Sequence, residues 1–155
     1  MIRYVIGDAT RPVCSGYKVI VHVVNTKGAW GKGFVLALSK RWSKPEAFYR
    51  HMFAQGKKPQ LGDIHVLVVE PDTVVVNMVA QDGLPTRGKR LVLNYQALQT
   101  CLEKLRNRLT AAESTASIHM PRIGCGLGGA DWRVIEPIIQ KTIADKFEVT
   151  VYDLL

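Results

Sequence analysis

The chain has 155 residues, 47% of them hydrophobic, with 21 Lys and Arg against 13 Asp and Glu and a formal net charge of +8. A chain of this length buries about 70% of the surface its unfolded form exposes, so residues 1–155 read as one domain whose core needs neither disulfides nor a structural metal. Cys14, Cys101 and Cys125 are odd in number and lack CxxC or Cys/His ligand spacing, which argues against a disulfide framework or metal site and for a reducing cytoplasm.

No apolar run follows a basic amino terminus, and no segment approaches the roughly 18 apolar residues of a membrane helix, so neither secretion nor a membrane span is expected. The positive charge favours phosphate-bearing partners without choosing among nucleic acid, nucleotide and anionic surface.

In chain order, Arg3 to Ile6 and Lys18 to Asn25 are Val/Ile/Tyr-rich runs separated by Pro12, Ser15 and Gly16, and both predict strands. KVIVHVVN is continuously apolar, as a central strand buried on both faces must be. Phe34, Leu38 and Trp42 recur at helical spacing until Ser43 and Pro45 interrupt them, and a second helix is expected over Glu46 to Ala54. Ile64 to Val69 and Thr73 to Val79 predict a hairpin around Pro71 and Asp72. From Leu91 to Leu109, leucines and Tyr95 alternate steps of three and four, the stripe of a long helix. Ser117 to Met120 predicts a strand and Trp132 to Ala144 a helix, in which Pro137 implies a late start or a kink. Val149 to Asp153 closes the series. The fold class is α/β, a mixed sheet of about six strands with helices on both faces.

Two glycine-rich loops, Gly28-Ala-Trp-Gly31-Lys-Gly33 and Gly124-Cys-Gly126-Leu-Gly128-Gly129, each join an expected buried strand to an expected helix. Glycine lets backbone N–H groups approach a ligand, and the following helix adds free N–H groups and a positive dipole end, a combination suited to phosphate. Two such loops on neighbouring strands can clamp a diphosphate. Neither is a Walker sequence, and neither carries GxGxxG with a downstream acidic residue, which disfavours a nucleoside-triphosphate enzyme. Trp30 is placed to lid a sugar or base. Asn25 either binds ribose hydroxyls or ties down its own loop. Asp8 either accepts from an adenine amino group or caps a turn, and Asp131 is first a helix N-cap. Cys125 has no histidine near it in sequence, so loop filler is preferred to nucleophile. Lys57-Lys58 and Arg87-Gly-Lys-Arg90 lack interleaved aromatics and read as solvated loops rather than a nucleic-acid surface.

The segments HVVNTKGAWGKGFVLALSKRW, NMVAQ, HMPRIGCGLGGADW and VTVYDL, in this order and across nearly the whole chain, resemble the macrodomain family. MPRIGCGL is the most specific of them. The branch resembled includes small bacterial stand-alone macrodomains, the macrodomain of a chromatin-remodelling enzyme and the terminal ADP-ribose protein glycohydrolase. The resemblance implies a three-layer α/β/α fold holding ADP-ribose, free or attached to a macromolecule, in a surface cleft, with no cofactor and no metal. By the same resemblance, Asp8 and Ala9 meet the adenine and Asn25 lies by the distal ribose. Trp30, Gly31, Lys32, Gly33 and Phe34 form the first phosphate loop. Ile123, Gly124, Cys125, Gly126, Leu127 and Gly128 form the second, and Tyr152 and Leu154 lie near the adenine end.

For catalysis, the glycohydrolase resembled needs a lysine where this chain has Gln81 and an aspartate where it has Gly128. The larger hydrolase class carries a first-loop aspartate where this chain has Gly33-Phe34-Val35. Asp131 as general base and Asn25 as ribose holder are the remaining catalytic candidates. The sequence reading is therefore a cytoplasmic, monomeric ADP-ribose-binding domain with slow hydrolysis of ADP-ribosyl esters, 1″-phosphate or acetylated ADP-ribose. Its alternatives are a reader without turnover and, well behind, an RNA-binding domain.

Overall fold

The computed structural model describes residues 1–84, 91–126 and 128–154. Six strands form one mixed sheet: β1 (Ile2–Ile6), β2 (Lys18–Asn25), β3 (Ile64–Glu70), β4 (Thr73–Gln81), β5 (Ser117–Pro121) and β6 (Val149–Asp153), in the spatial order β1-β6-β5-β2-β4-β3. All neighbours pair in parallel except β3 and β4, which form the expected antiparallel hairpin.

The period-two alternation of β2 and β4 divides the core between two faces. Val19 and Val21, with Val74, Val76, Met78 and Ala80, pack under α3 (Tyr95–Ala111) and α4 (Trp132–Ile139). Ile20, Val24, Val75 and Val79 meet Leu38 of α1 (Phe34–Arg41) and Tyr49 of α2 (Lys44–Ala54) on the opposite face. This is the α/β/α layering expected from the continuously apolar β2.

Three boundaries depart from expectation. The first helix position of α3 is Tyr95, not Leu91, because Asn94 caps it by accepting from the Ala97 N–H at 2.8 Å. Residues 91–93 are apolar for another reason: Leu93 bridges to Gln81 in antiparallel fashion, and Val92 exchanges bonds with Asp82 and Gly128. Pro137 does not delay α4, which starts at Trp132; the irregularity falls after it, as a π-helical turn over Gln140–Ala144. Pro45 lies in the first turn of α2, where its missing N–H is harmless.

Candidate functional site

Because β1, β6, β5, β2 and β4 run parallel, their carboxyl ends share one edge of the sheet, where ligands gather in such folds. β2 and β5 are neighbours, so the two glycine loops that follow them stand side by side.

A register shift between Val24 and Asn25 ends β2 opposite Gln81 and turns Asn25 into the first loop. There its Oδ1 accepts from the N–H groups of Lys27 (2.9 Å) and Ala29 (3.2 Å), while Nδ2 donates to the Ala29 carbonyl (2.9 Å). Of its two sequence readings, the side chain's contacts are those of the loop tie. Tyr49 completes the tie from α2: its hydroxyl accepts from the Gly28 N–H (3.1 Å) and lies 2.7 Å from the Asn25 carbonyl and 2.9 Å from Asn25 Oδ1. Burial pushes this phenol up to about 12. Sequence reasoning missed Tyr49, although Pro45 and Tyr49 mark the buried face of a helix at i, i+4 spacing.

Trp30 is not a lid. It is 3% exposed, packs against Tyr49 and His22 with ring centroids 5.4 and 5.5 Å away, and donates its indole N–H to Ser39 Oγ at 2.7 Å. A buried indole with its ring packed on two others and its donor engaged inside the protein forms the floor of the loop. Gly31, Lys32 and Gly33 are the exposed part, and Phe34 is half-buried. Gly33 sits at φ 82, in the left-handed region, and hands over to α1 without a side-chain cap. The N–H groups of Gly31, Lys32, Gly33 and Phe34 therefore donate to no protein acceptor among the described residues.

The second loop is tightly folded: Ala130 donates to the Gly124 carbonyl (2.9 Å), and Val92 donates to that of Gly128 (3.0 Å). Ile123 is buried, Gly124 and Cys125 are half-buried, Gly126 is exposed, and Leu127 lies outside the described residues. The N–H groups of Gly124, Gly126 and Gly128 have no protein acceptor among the described residues. Gly128 is a close-approach position. A Cβ there would stand 2.6 Å from the Gly124 carbonyl oxygen and 2.8 Å from Gln81 Nε2. Gln81 and Gly128, the two positions at which the resemblance would place a catalytic Lys and Asp, thus adjoin in space, and Gln81 occupies the room a residue-128 side chain would need.

Asp131 caps α4, accepting from the Arg133 N–H at 2.9 Å, and pairs with the Arg133 guanidinium at 2.9 Å, which holds its carboxyl below the usual range. Cys125 has no histidine partner; burial pushes its thiol up. It is Cys14 that lies beside a histidine, 3.6 Å from His119 Nε2.

At the other end of the edge, Asp8 Oδ1 accepts from the Thr10 N–H (2.8 Å) and hydroxyl (2.7 Å), holding a turn in which Ala9 is buried. Gly7 donates to the Asp153 carbonyl (2.9 Å), so this turn abuts β6. Tyr152 on β6 is half-buried, with its hydroxyl 2.7 Å from His119 Nδ1, and Leu154 stands out in solvent. Arg122, also missed from sequence, roots the second loop through a two-pronged bond to Asp153 (2.5 and 2.9 Å).

A surface hollow of about 480 Å³ lies elsewhere, bordered by Cys14 and by Lys18 and Thr73 at the amino ends of β2 and β4. Its cations Lys18, Arg41 and Arg11 are paired with Asp72, Glu70 and, at 4.0 Å, Asp8, so it offers less to an anion than the free amides of the loops. Among the described residues, no group of three His, Cys, Asp or Glu side chains is placed to hold a metal, and no helix is long and apolar enough to cross a membrane. Lys57 and Lys58 lie exposed, as expected of a solvated turn; Arg87, Lys89 and Arg90 lie outside the described residues.

No protein-family model matches the chain. A solved macrodomain protein from Streptomyces coelicolor is 42% identical over 99% of this chain and 99% of its own, with a TM-score of 0.84. This chain belongs to the macrodomain family. The macrodomain is also 31% identical, over 94% of its length, to chromodomain-helicase-DNA-binding protein 1-like of Mus musculus, of which it spans only 17%. It is 25% identical, over 99% of its length and 98% of the relative's, to an ADP-ribose 1″-phosphate phosphatase of Saccharomyces cerevisiae.

Proposed function

We propose that this macrodomain binds ADP-ribose, free or attached to a macromolecule, along the carboxyl edge of its sheet. The observation that carries the reading is the pair of adjoining glycine loops, after the neighbouring parallel strands β2 and β5, in which the N–H groups of Gly31 to Phe34, Gly124, Gly126 and Gly128 have no protein acceptor among the described residues. Backbone N–H groups beside a helix start suit a diphosphate. The name of the yeast relative supports the same ligand class. In this reading Gly31 to Phe34 and Ile123 to Gly128 hold the diphosphate. Asp8, Ala9, Tyr152 and Leu154 border the adenine, and Asn25 shapes the distal-ribose end.

For turnover, the geometry favours a reader. Asp131 is engaged as a cap and ion pair, and Gln81 with Gly128 offers no general acid or base at the position that would need one. Hydrolysis is left to ligands that bring their own group, such as a 1″-phosphate that positions water. A monomer in a reducing cytoplasm completes the proposal, the compartment being supported by the spacing of the free cysteines Cys14, Cys101 and Cys125.

The test is calorimetric titration with ADP-ribose, then chromatography of an ADP-ribosyl ester, the 1″-phosphate and acetylated ADP-ribose after incubation with the same sample. Binding is expected with no product from the ester or acetylated ADP-ribose, and at most slow product from the 1″-phosphate. Rapid product from the ester would overturn the reader assignment, and absence of binding would overturn the ligand.

A further inference from the structure

We propose that Arg122 is a positioning residue that fixes the second glycine loop to the adenine end of the cleft, so that the two halves of the ligand are bound as one unit. This inference rests on the ADP-ribose reading.

Arg122 is the first residue after β5 and directly precedes Ile123 and Gly124, so its backbone is the root of the loop. Its guanidinium is held from two directions. Nε and Nη2 each bond one carboxylate oxygen of Asp153, at 2.5 and 2.9 Å, and the guanidinium carbon lies over the rings of Tyr4 and Trp132, 5.1 and 5.3 Å from their centroids. Those rings are themselves joined: the Trp132 indole donates to the Tyr4 hydroxyl at 2.9 Å, and that hydroxyl donates to Glu136 of α4.

One planar cation therefore ties together the root of the loop, the end of β6 beside Tyr152 and Leu154, edge strand β1, and the first turn of α4 where the loop ends. Guanidinium matches this arrangement because it bonds a carboxylate with two parallel N–H groups while its plane stacks on aromatic faces; an ammonium, a compact point charge, lacks the planar fork that does both at once. The group is 40% exposed and its partner Asp153 38%, so as an ion pair alone it adds little to stability. Its effect is on loop geometry. A loop held in its binding conformation loses less entropy on taking up ligand.

Asp153→Asn decides between positioning and direct charge, because the two roles predict opposite signs. If Arg122 acts by position, loosening it weakens ADP-ribose binding. If Arg122 served as a charge for the diphosphate, removing its carboxylate partner would strengthen binding. Calorimetry with ADP-ribose and with adenosine monophosphate, on the unmutated protein, Asp153→Asn and Arg122→Lys, reads the effect, with melting temperatures as the check on folding. The expected result is about tenfold weaker ADP-ribose binding in both variants, with adenosine monophosphate less affected and melting temperatures close to the unmutated value. Unchanged or tighter ADP-ribose binding by Asp153→Asn overturns the inference alone. An unmutated protein that binds no ADP-ribose overturns the functional reading and this inference with it.

Discussion

At the scale of single residues, the first loop rests on a buried hydroxyl. Tyr49 offers its oxygen to the half-buried Gly28 N–H and its proton to Asn25, which is buried and has little water to turn to when that hydroxyl is removed. Tyr49→Phe keeps the ring and its packing on Trp30 while orphaning a half-buried donor and a buried acceptor, a loss of about 1–3 kcal/mol. A lowered urea midpoint, with weaker ADP-ribose binding through the loosened loop, is the expected outcome; affinity equal to the unmutated protein's would show that the loop holds itself. Asp131 is the contrasting case. Its carboxylate is exposed, and asparagine caps a helix start about as well as aspartate, so Asp131→Asn is expected to leave the melting temperature close to the unmutated value and any slow turnover intact. Loss of product formation with binding preserved would make Asp131 the general base.

At the scale of elements, two glycines in the second loop separate space from conformation. Gly126 is exposed, and a Cβ added to it would meet nothing within 4 Å, whereas a Cβ on Gly128 would meet the Gly124 carbonyl oxygen at 2.6 Å. Gly126→Glu is therefore expected to fold normally and to abolish ADP-ribose binding, since it sets an anion among the phosphate-facing amides. Gly128→Ala is expected to destabilise the domain by about 2 kcal/mol, because the atom it hits is backbone and cannot swing away. Thermal melts of both variants beside calorimetry check this; a Gly128→Ala protein as stable as the original would mean the loop is looser than its packing against Gln81 implies.

The loops, strands and most helices are legible in the sequence because they rest on local rules: glycine runs, period-two and period-3.6 patterning, and cap residues. The misreadings share a different cause. Val92, Leu93 and Trp30 are apolar residues whose partners come from distant parts of the chain, Gln81, Asp82 and Gly128 for the first two and α2 for Trp30, so pattern alone assigns them to a helix face and a ligand lid. Tyr49 and Arg122 escape the pattern for the same reason, since their meaning lies in contacts 24 and 31 residues away along the chain.

At the scale of the whole molecule, the sheet buries imidazoles that must stay uncharged. His22 lies in the centre of β2, where its Nε2–H donates to Asn77 Oδ1 and its Nδ1 has no partner among the described residues; burial brings its pKa down from 6.5 to about 4. His119 on β5 is brought to about 4 as well, by burial first and then by the nearby cations Lys18 and Arg3. In the unfolded chain both titrate near 6.5, so between about pH 6.5 and 4 the unfolded state holds more protons and stability falls as pH falls. Each histidine contributes up to about 3 kcal/mol to this loss, which levels off below pH 4 once the folded imidazoles are protonated too. The lowered carboxyls Asp72, Asp131 and Asp153 act at still lower pH, and Glu46, held down by Arg50, from about 4.5 downward; all four act weakly because water screens them. Urea unfolding at pH 7.0, 5.5 and 4.5, on the order of one unit apart to span the window, is expected to show a progressive loss of stability with proton uptake on unfolding. A flat profile across that range would mean that the buried histidines are charged or solvated in the folded protein, which is incompatible with His22 in the middle of a sheet covered on both faces.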